Sequence, residues 1–229
     1  MKMKEEQRKR KREKVIIKFG GSLIEKSRGI IRFLGDYAKE KEKYEDKALT
    51  IILIPGGGPF AEAVKNLSAD ISISENTAHW MAVLAMHQYG LFLASGEIEI
   101  PAVESVDEID GAGAICILLP YKILKSDDCL PHTWDVTSDT IAAFVANKMG
   151  EKTFIKLTDV DGIIDEKGHL IEKIPIKEMI EKEERGCVDA ELPRFLMQNK
   201  MSCIIVNGNF PNRITDVIEG KETLCTKLS

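Results

Sequence analysis

Five short apolar segments, alternating with helical segments, constrain the fold of this chain more than any other feature. They span residues 15–18, 49–54, 114–119, 153–157 and 203–206. Each is apolar on both faces and is followed by a polar or glycine-rich turn, which is the pattern of strands buried between two helical layers. Because parallel strands need crossover connections, the alternation predicts an α/β fold, an αβα sandwich with a mainly parallel central sheet.

Four helical segments lie between or after these strands. Residues 29–43 carry an apolar stripe, and residues 75–93 form a long segment with little charge. Residues 137–148 and 192–199 supply two more. Gly168 stands between two charged stretches and predicts a hairpin or an exposed loop that interrupts the alternation.

The first 14 residues differ from the rest of the chain. Residues 1–14 carry eight basic and three acidic groups and lack apolar residues to bury, which predicts a disordered tail or a mobile helical extension. No internal repeat or low-complexity linker divides residues 15–229, so we expect them to form a single domain. The whole chain has a net charge of −5, which leaves about −10 on the domain and no broad basic surface for nucleic acid.

Apolar runs and cysteines indicate the compartment. The tail lacks the apolar core of a signal peptide, and the longest apolar runs are far too short to span a bilayer, so we expect a cytoplasmic protein without a membrane partner. The five cysteines are widely spaced and form no C-x-x-C pair, which argues against a zinc site and a disulfide framework. We expect reduced thiols, with Cys116 and Cys203 in the core.

The turn after the first strand combines a lysine with two glycines. It reads Lys18-Phe19-Gly20-Gly21-Ser22, and in open parallel sheets ligands bind beyond the carboxyl ends of the strands. Glycines let backbone N–H groups approach phosphate oxygens, and the lysine adds a compact positive charge, which suits phosphoryl transfer. The plainer interpretation is a tight turn with a surface lysine.

A second glycine-rich loop follows the second strand. Gly56, Gly57 and Gly58 precede a helix that we expect to start near Phe60. Free N–H groups at a helix N-terminus, together with the helix dipole, form an anion site. Neither a Walker loop nor a G-x-G-x-x-G motif occurs in the chain.

A polar stretch precedes the helical segment at residues 137–148. Thr137, Ser138 and Asp139 are helix-capping residue types, and at least one of them is predicted to cap this helix. A cap does not explain His132 and Trp134, which lie immediately upstream.

The strand at residues 153–157 ends in an acidic turn. The chain continues into Thr158, Asp159, Asp161 and Gly162, and a turn alone would account for Asp and Gly in these positions. In a parallel sheet, however, this turn and the two glycine loops would meet at the same edge.

Taken in order, these motifs resemble the amino acid kinase superfamily, which includes acetylglutamate, carbamate, uridylate and isopentenyl phosphate kinases. The resemblance runs from "KFGGS" through "PGGGP", "TSD" and "LTDVDG" to "VNG" at residues 206–208 and covers nearly the whole domain. It implies one α/β sandwich whose N-terminal half binds a small phosphorylated acceptor and whose C-terminal half binds ATP.

The resemblance also implies roles for individual residues. Lys18 would bridge the phosphates of the nucleotide and stabilise the transferred group, and Asp139 would hold Lys18 or orient the acceptor. The nucleotide and the phosphoryl path would be lined by the backbone N–H groups of Gly20, Gly21, Gly57 and Gly58, and by Ser22, Thr158, Asp159, Asp161, Gly162 and Asp189. Mg²⁺ would be held mainly by the phosphates, without a direct protein ligand, and an ionised acceptor needs no general base.

One departure from the superfamily concerns a second lysine. Several members carry it after a "GGM" turn in the C-terminal half, where this chain reads "RGCVDAELPRFL" at residues 185–196. Arg194 would replace the lost charge or would be a surface helix cation, and both interpretations are open. We expect Lys18 to carry more of the phosphoryl charge than its counterparts do.

The stretch "LPHTWDVTSD" resembles the sequences of an archaeal subgroup of the superfamily. Members of that subgroup phosphorylate the phosphomonoester of an aminomethylfuran in methanofuran biosynthesis. An aromatic acceptor with an ammonium and a phosphate group would want an aromatic wall, phosphate donors and a carboxylate. The acceptor-binding residues would be Gly56, His132, Thr133, Trp134, Asp135, Thr137 and Ser138. The plainer interpretation places Trp134 in the core and His132 as a turn cap.

Other functions are open at this point. A UMP kinase-like enzyme would have an arginine soon after the second glycine loop, where this chain offers only Lys65, and an isopentenyl phosphate kinase-like enzyme would have a histidine in place of Phe60. The missing lysine raises a third alternative, a non-catalytic nucleotide-binding storage or regulatory protein. Superfamily members commonly form oligomers, so we expect a homo-oligomer with residues 75–93 as the contact, and we assign His79 and His87 to packing or to that contact.

Overall fold

A single sheet of eight strands runs through this computed structural model, which describes residues 12–45, 48–96, 99–182 and 186–229. The strands are β1 (Glu13–Phe19), β2 (Leu49–Pro55), β3 (Ala102–Val103), β4 (Ile115–Leu118), β5 (Thr153–Thr158), β6 (Lys173–Ile174), β7 (Ser202–Asn207) and β8 (Thr226–Leu228). Their order across the sheet is β3-β4-β2-β1-β5-β7-β8-β6. Neighbouring strands are parallel except β7 and β8, which confirms the mainly parallel sheet.

Eight α-helices accompany the sheet in the described residues. They are α1 (Ser27–Tyr44), α2 (Gly58–Asp70), α3 (Glu75–Ala94), α4 (Tyr121–Ser126), α5 (Ser138–Lys148), α6 (Ile176–Glu181), α7 (Leu192–Asn199) and α8 (Pro211–Ile218). The five predicted strands and the four helical segments are all present, with ends within two residues of those predicted, and α2, which we expected to start near Phe60, starts at Gly58. Short elements such as α4, α6 and β3 have too few residues to show a period in the sequence.

The domain begins before residue 15. β1 starts at Glu13, and the Arg12 guanidinium donates to the Leu49 carbonyl at 2.6 Å and to Thr50 Oγ1 at 2.8 Å. Arg12 also pairs with Glu42 of α1 at 2.8 Å. Residues 12–14, predicted as part of the charged tail, are therefore anchored to the sheet, and the rest of that predicted tail lies outside the described residues.

Apolar side chains cover both faces of the sheet. In β1, Ile17 and Phe19 belong to a cluster with residues of α1 and α8, whereas Ile16 belongs to a second cluster with residues of α5 and α7. Lys18 lies on the same side as Ile16 because strand side chains alternate. The Lys18 side chain thus points from the central strand β1 toward the helix layer that contains α5.

Helix α3 contacts both clusters. Val83 and Met86 pack in the cluster with α5, and Tyr89 and Leu93 pack in the cluster with α1. Leu84 and Leu91 of α3 are 44% and 51% exposed. The proposed subunit contact through this helix stays a prediction. None of the helices in the described ranges has the length and apolarity needed to cross a membrane.

Two smaller predictions are confirmed. Gly168, with a φ of 84°, lies in a hairpin closed by an antiparallel bridge between Ile164 and Leu170. Cys116 and Cys203 are buried, and all five cysteines are free thiols.

Candidate active site

The two glycine loops pack directly against each other at the carboxyl ends of β1 and β2. A Cβ on Gly21 would lie 2.4 Å from Gly58 Cα, and Gly58 has a positive φ of 53°. The ring of Tyr89 lies beneath Gly58, and its hydroxyl donates to the Gly20 carbonyl at 3.2 Å. Glycine is therefore required at Gly21, where any side chain would push the two loops apart, and at Gly58, because other residues rarely adopt its positive φ.

Three of the loop N–H groups are available to a ligand. The N–H groups of Gly21, Gly57 and Gly58 donate to no other described residue. By contrast, the Gly20 N–H donates to the Leu157 carbonyl at 2.9 Å, and the Gly56 N–H donates to the Phe19 carbonyl at 2.8 Å. The expectation that Gly20 donates to a phosphate is thus not met in this structure, because the sheet already uses that donor.

A buried carboxylate lies between two lysines beneath these loops. Lys18 Nζ lies 2.8 Å from Asp139 Oδ1, as an ion pair rather than an aligned hydrogen bond. Lys156 Nζ donates to Asp139 Oδ2 at 2.5 Å and also to the Cys187 carbonyl. Lys18 and Lys156 are register partners on the neighbouring parallel strands β1 and β5, so both side chains point to the same face, toward α5.

Burial and mutual charge shift the pKa values of Lys18, Asp139 and Lys156. Burial opposes ionisation of Asp139, but the two lysine charges outweigh burial and lower the pKa of Asp139 to about 2. Burial, aided by the charge of Lys156, lowers the pKa of Lys18 despite Asp139. Burial also opposes the charge of Lys156, yet Asp139 outweighs it and raises the pKa of Lys156. The cluster itself holds two positive groups and one negative group, and the carboxylate of neighbouring Asp189 also acts on the charge of Lys18.

Lys156 supplies a second ammonium group that the sequence analysis did not single out. The available signal was a lysine in a strand that is otherwise apolar on both faces, two residues before the Thr158 turn. Arg194, by contrast, has a side chain that is 63% exposed and lies 3.8 Å from Glu191, which identifies it as a surface helix cation. Of the two buried lysines only Lys18 lines the cavity described below, so its larger share of phosphoryl charge stays a prediction.

The N-terminus of α5 is capped by a residue from a distant part of the chain. Thr137 occupies the N-cap position but makes no side-chain cap. Instead, the Asp189 carboxylate accepts from the N–H and hydroxyl groups of Thr137 and Thr140 and from the Leu192 N–H, at 2.6–2.9 Å. The prediction of a local side-chain cap is therefore wrong. Asp189 was expected beside the nucleotide. In the structure its carboxylate accepts hydrogen bonds from five protein donors at the N-terminus of α5.

A cavity of about 450 Å³ opens in front of Lys18 and the glycine loops. Among the residues predicted from the sequence, those that line it are Lys18, Gly21, Ser22, Gly57, Gly58, Thr133, Trp134, Thr137 and Ser138. Gly56, His132 and Asp135, predicted to bind the acceptor, do not line it. Trp134 is 40% exposed and is not a core residue.

The other predicted nucleotide residues gather at the ends of β5 and β7, outside this cavity. Thr158 is buried, and its hydroxyl donates to exposed Asp159 at 3.2 Å. The Asp161 carboxylate accepts from Asn207 at 2.8 Å and from Arg213 at 2.6 Å. β1 separates β2 from β5 in the sheet, so Lys18 lies between the cavity and this acidic turn.

The acidic turn that follows β5 also contains Gly162, which has an unusual backbone conformation. Gly162 has a φ of 152°, and a Cβ there would lie 2.2 Å from Thr226 Oγ1. That hydroxyl accepts from the Ile163 N–H at 2.9 Å and donates to the Ile171 carbonyl. Gly162 thus gives the acidic turn its shape through packing against β8.

His79, which we assigned from the sequence to packing or to a subunit contact, is a cavity residue. It lines the cavity from α3, is 8% exposed, and forms no hydrogen bond with another described residue. Its ring stacks on His132 with centroids 4.3 Å apart, and His132 is held by Asn76 Oδ1 at 2.6 Å and Asp128 Oδ1 at 2.7 Å. Burial, together with the charge of His132, lowers the pKa of His79 to about 4, so its imidazole is neutral at pH 7.

The described residues contain no group of three or more His, Cys, Asp or Glu side chains arranged to hold a metal ion. The donors at the inner end of the cavity are instead the Lys18 ammonium and backbone N–H groups, which suit anions.

The fold and these donors define a phosphotransferase of the amino acid kinase family, to which this chain belongs: the profile of that family matches residues 13–207. The chain is 35% identical over 224 residues to the [5-(aminomethyl)furan-3-yl]methyl phosphate kinase of Methanocaldococcus jannaschii, covering 93% of this chain and 96% of that one. It is 24% identical to the uridylate kinase of Thermoplasma volcanium, with 94% and 97% covered. The crystal structure of uridylate kinase from Archaeoglobus fulgidus shares the fold, with a TM-score of 0.66, 17% identity and coverage of 94% and 100%. The resemblance to the superfamily is thereby confirmed.

Proposed function

We propose that this protein transfers the γ-phosphoryl group of ATP to the phosphate of a small phosphomonoester. The acceptor we propose is [5-(aminomethyl)furan-3-yl]methyl phosphate, which would give its diphosphate in methanofuran biosynthesis. The Methanocaldococcus jannaschii kinase named for this compound supports the acceptor, because the two chains align over nearly their whole lengths.

The observation that carries the proposal is the position of Lys18. Its ammonium faces the cavity while Asp139 holds it at 2.8 Å, and the free N–H groups of Gly21, Gly57 and Gly58 surround the same space. Donors fixed before the reaction stabilise charge on a transferred phosphoryl group without reorganisation. Lys18 would thus bind the phosphoryl group as it moves from donor to acceptor.

The reaction balances without a protein base. An oxygen of the acceptor phosphate forms a bond to the γ-phosphorus, the bond from that phosphorus to the β–γ bridging oxygen breaks, and ADP leaves. Because a phosphate oxygen is already ionised at neutral pH, no proton has to be removed from it. The contribution of the protein is positioning and charge stabilisation.

We place ATP on the side of Lys18 that faces the ends of β5 and β7. Thr158 and Asp159 lie there, and Asp161 is oriented by Asn207 and Arg213. Magnesium bound to the nucleotide would neutralise part of the phosphate charge, and its ligands would come mainly from the phosphates.

A panel of acceptors tests this function. The purified protein is incubated with ATP, Mg²⁺ and one of four compounds: the aminomethylfuran phosphate, UMP, isopentenyl phosphate or acetylglutamate. We expect ADP release and a diphosphate signal in ³¹P NMR with the first compound. Turnover of UMP alone would make the enzyme a UMP kinase, and tight ATP binding without any acceptor-dependent ADP would support a storage or regulatory protein.

A further inference from the structure

The cavity wall that α3 contributes is polar at one end of the helix and apolar toward the other. Glu75, His79, Val83 and Met86 all line the cavity, and their spacings of four, four and three residues place them on one helix face. At about 1.5 Å per residue, Glu75 lies ~16 Å along the helix from Met86. Because Tyr89, one turn beyond Met86, lies under Gly58, the polar pair Glu75 and His79 occupies the end away from the glycine loops.

Helices α2 and α3 together bring more negative than positive side-chain charge to the cavity. Glu62 and Lys65 line it from α2, and Glu75 lines it from α3. None of the three forms an ion pair with another residue of the described ranges. These two helices therefore bring two carboxylates and one ammonium group to the cavity, and of the three residues Glu75 lies at the end away from the Lys18 ammonium and the free N–H groups.

His79 is the second feature of this end of the cavity. Its side chain is 8% exposed, lines the cavity and forms no hydrogen bond with another described residue, so a ring nitrogen is free to bind a ligand there. Residues four apart on a helix have Cβ atoms about 5–6 Å apart, so Glu75 and His79 can contact one small group together. His132 fixes the His79 ring by stacking, and its own two nitrogens are both held.

We propose that Glu75 and His79 bind a protonated amino group of the acceptor, at the end of the molecule opposite its phosphate. This inference rests on the proposed function and specifies the acceptor as a zwitterion. An ammonium group donates to a carboxylate and to the free nitrogen of a neutral imidazole, and the low pKa of His79 keeps that nitrogen unprotonated. Glu62 adds a second carboxylate to the cavity from α2, and Trp134 lines the cavity with an aromatic surface that favours cations.

The test compares two ligands that differ only at the amine. One is [5-(aminomethyl)furan-3-yl]methyl phosphate, and the other is its N-acetyl derivative, which has the same ring and phosphate but no charge on nitrogen. Binding of each is measured by titration calorimetry and turnover by ADP release. We expect the wild-type protein to bind the amine at least about tenfold more tightly, since one charge-assisted hydrogen bond contributes roughly that factor.

Substitutions then locate the subsite. Glu75→Gln and His79→Phe should each reduce the amine preference toward one, whereas His79→Gln, which keeps a hydrogen-bond acceptor, should retain part of it. Glu166→Gln is the matched control, because it removes the same charge from the exposed hairpin, remote from the cavity. It should leave the preference unchanged. A purely structural effect of His79→Phe would weaken both ligands equally and leave their ratio intact.

The outcomes separate the two proposals. Equal binding of the amine and its acetylated form by the wild-type protein would overturn the ammonium subsite even if both were phosphorylated. An unchanged preference in Glu75→Gln and His79→Phe would also overturn it. A preference that depends on Glu75, without turnover of either compound, would support the subsite and contradict the proposed function.

Discussion

Lys18 and Lys156 lie opposite each other on neighbouring parallel strands and share the two oxygens of one buried carboxylate, that of Asp139. Asp139 thus holds two cations in place, and one of them, Lys18, is positioned where it can attract phosphate. Lys156 also bonds to the Cys187 carbonyl, whereas Lys18 lines the cavity. The structure thus divides the pair into an anchored lysine and a lysine that faces the ligand.

Replacing Asp139 tests the stability of this arrangement. Asp139→Asn removes the carboxylate that two buried ammonium groups share, and we expect the free energy of unfolding to fall by about 3–5 kcal/mol. Urea denaturation measures it. Asp161→Asn is the control, because it weakens a half-exposed pair with Arg213 and should cost about 1 kcal/mol or less. Equal losses in the two variants would contradict the special role of Asp139.

Acid should destabilise the protein through the same group. The pKa of Asp139 is lowered from 3.8 to about 2 in the folded protein, so its ionised form stabilises the fold at pH values above the unfolded pKa. That contribution is lost as pH falls through the folded pKa. We therefore expect stability to fall between about pH 4 and pH 2, and to fall less in Asp139→Asn. If the variant lost more stability in acid than the wild-type protein does, ionised Asp139 would not be the group that stabilises the fold.

Replacing Lys18 tests the transfer step. Lys18→Ala removes a fixed donor from the phosphoryl path, and we expect kcat/KM to fall by about 10²–10³-fold. The fold should persist because the ion pair between Asp139 and Lys156 is retained, which urea denaturation of the variant checks. Normal turnover in Lys18→Ala would show that the phosphate site lies elsewhere.

The decline of kcat/KM at high pH should report the pKa of Lys18 and the effect of Lys156 on it. Because burial and Lys156 lower the pKa of Lys18 below 10.5, kcat/KM should decline at a lower pH than for an ordinary lysine, as the charge is lost. Lys156→Met removes one of the effects that lower this pKa, so the decline should move to higher pH. An unmoved decline would mean that Lys156 does not act on Lys18.

The contact between the glycine loops predicts a large effect of one methyl group. In Gly21→Ala the new Cβ would lie 2.4 Å from Gly58 Cα, which should cost about 1–3 kcal/mol of stability and, by displacing the loops, about 10²-fold in kcat/KM. Gly29→Ala in α1 is the matched control. Its Cβ meets no atom within 4 Å, so we expect a gain of about 0.5–1 kcal/mol and unchanged kinetics. Similar losses in both variants would contradict the packing argument.

The site was only partly predictable from the sequence. Lys18, Gly21, Gly57 and Gly58 were recognised because motif and strand end coincide in the chain, and the structure brings them to one cavity. His132 was predicted to bind the acceptor, but the structure places His79 and not His132 in the lining of the cavity.

The alternation of apolar strands with helices, the two glycine loops and the charged Lys18 are local features, and the sequence by itself determined them. Three relationships depended on the tertiary structure: the pairing of Lys156 with Asp139, the capping of α5 by Asp189, and the stacking of His79 on His132. Each joins residues far apart in the chain. Strand register and helix packing bring them together, and neither can be read from the period or the motifs of a single segment.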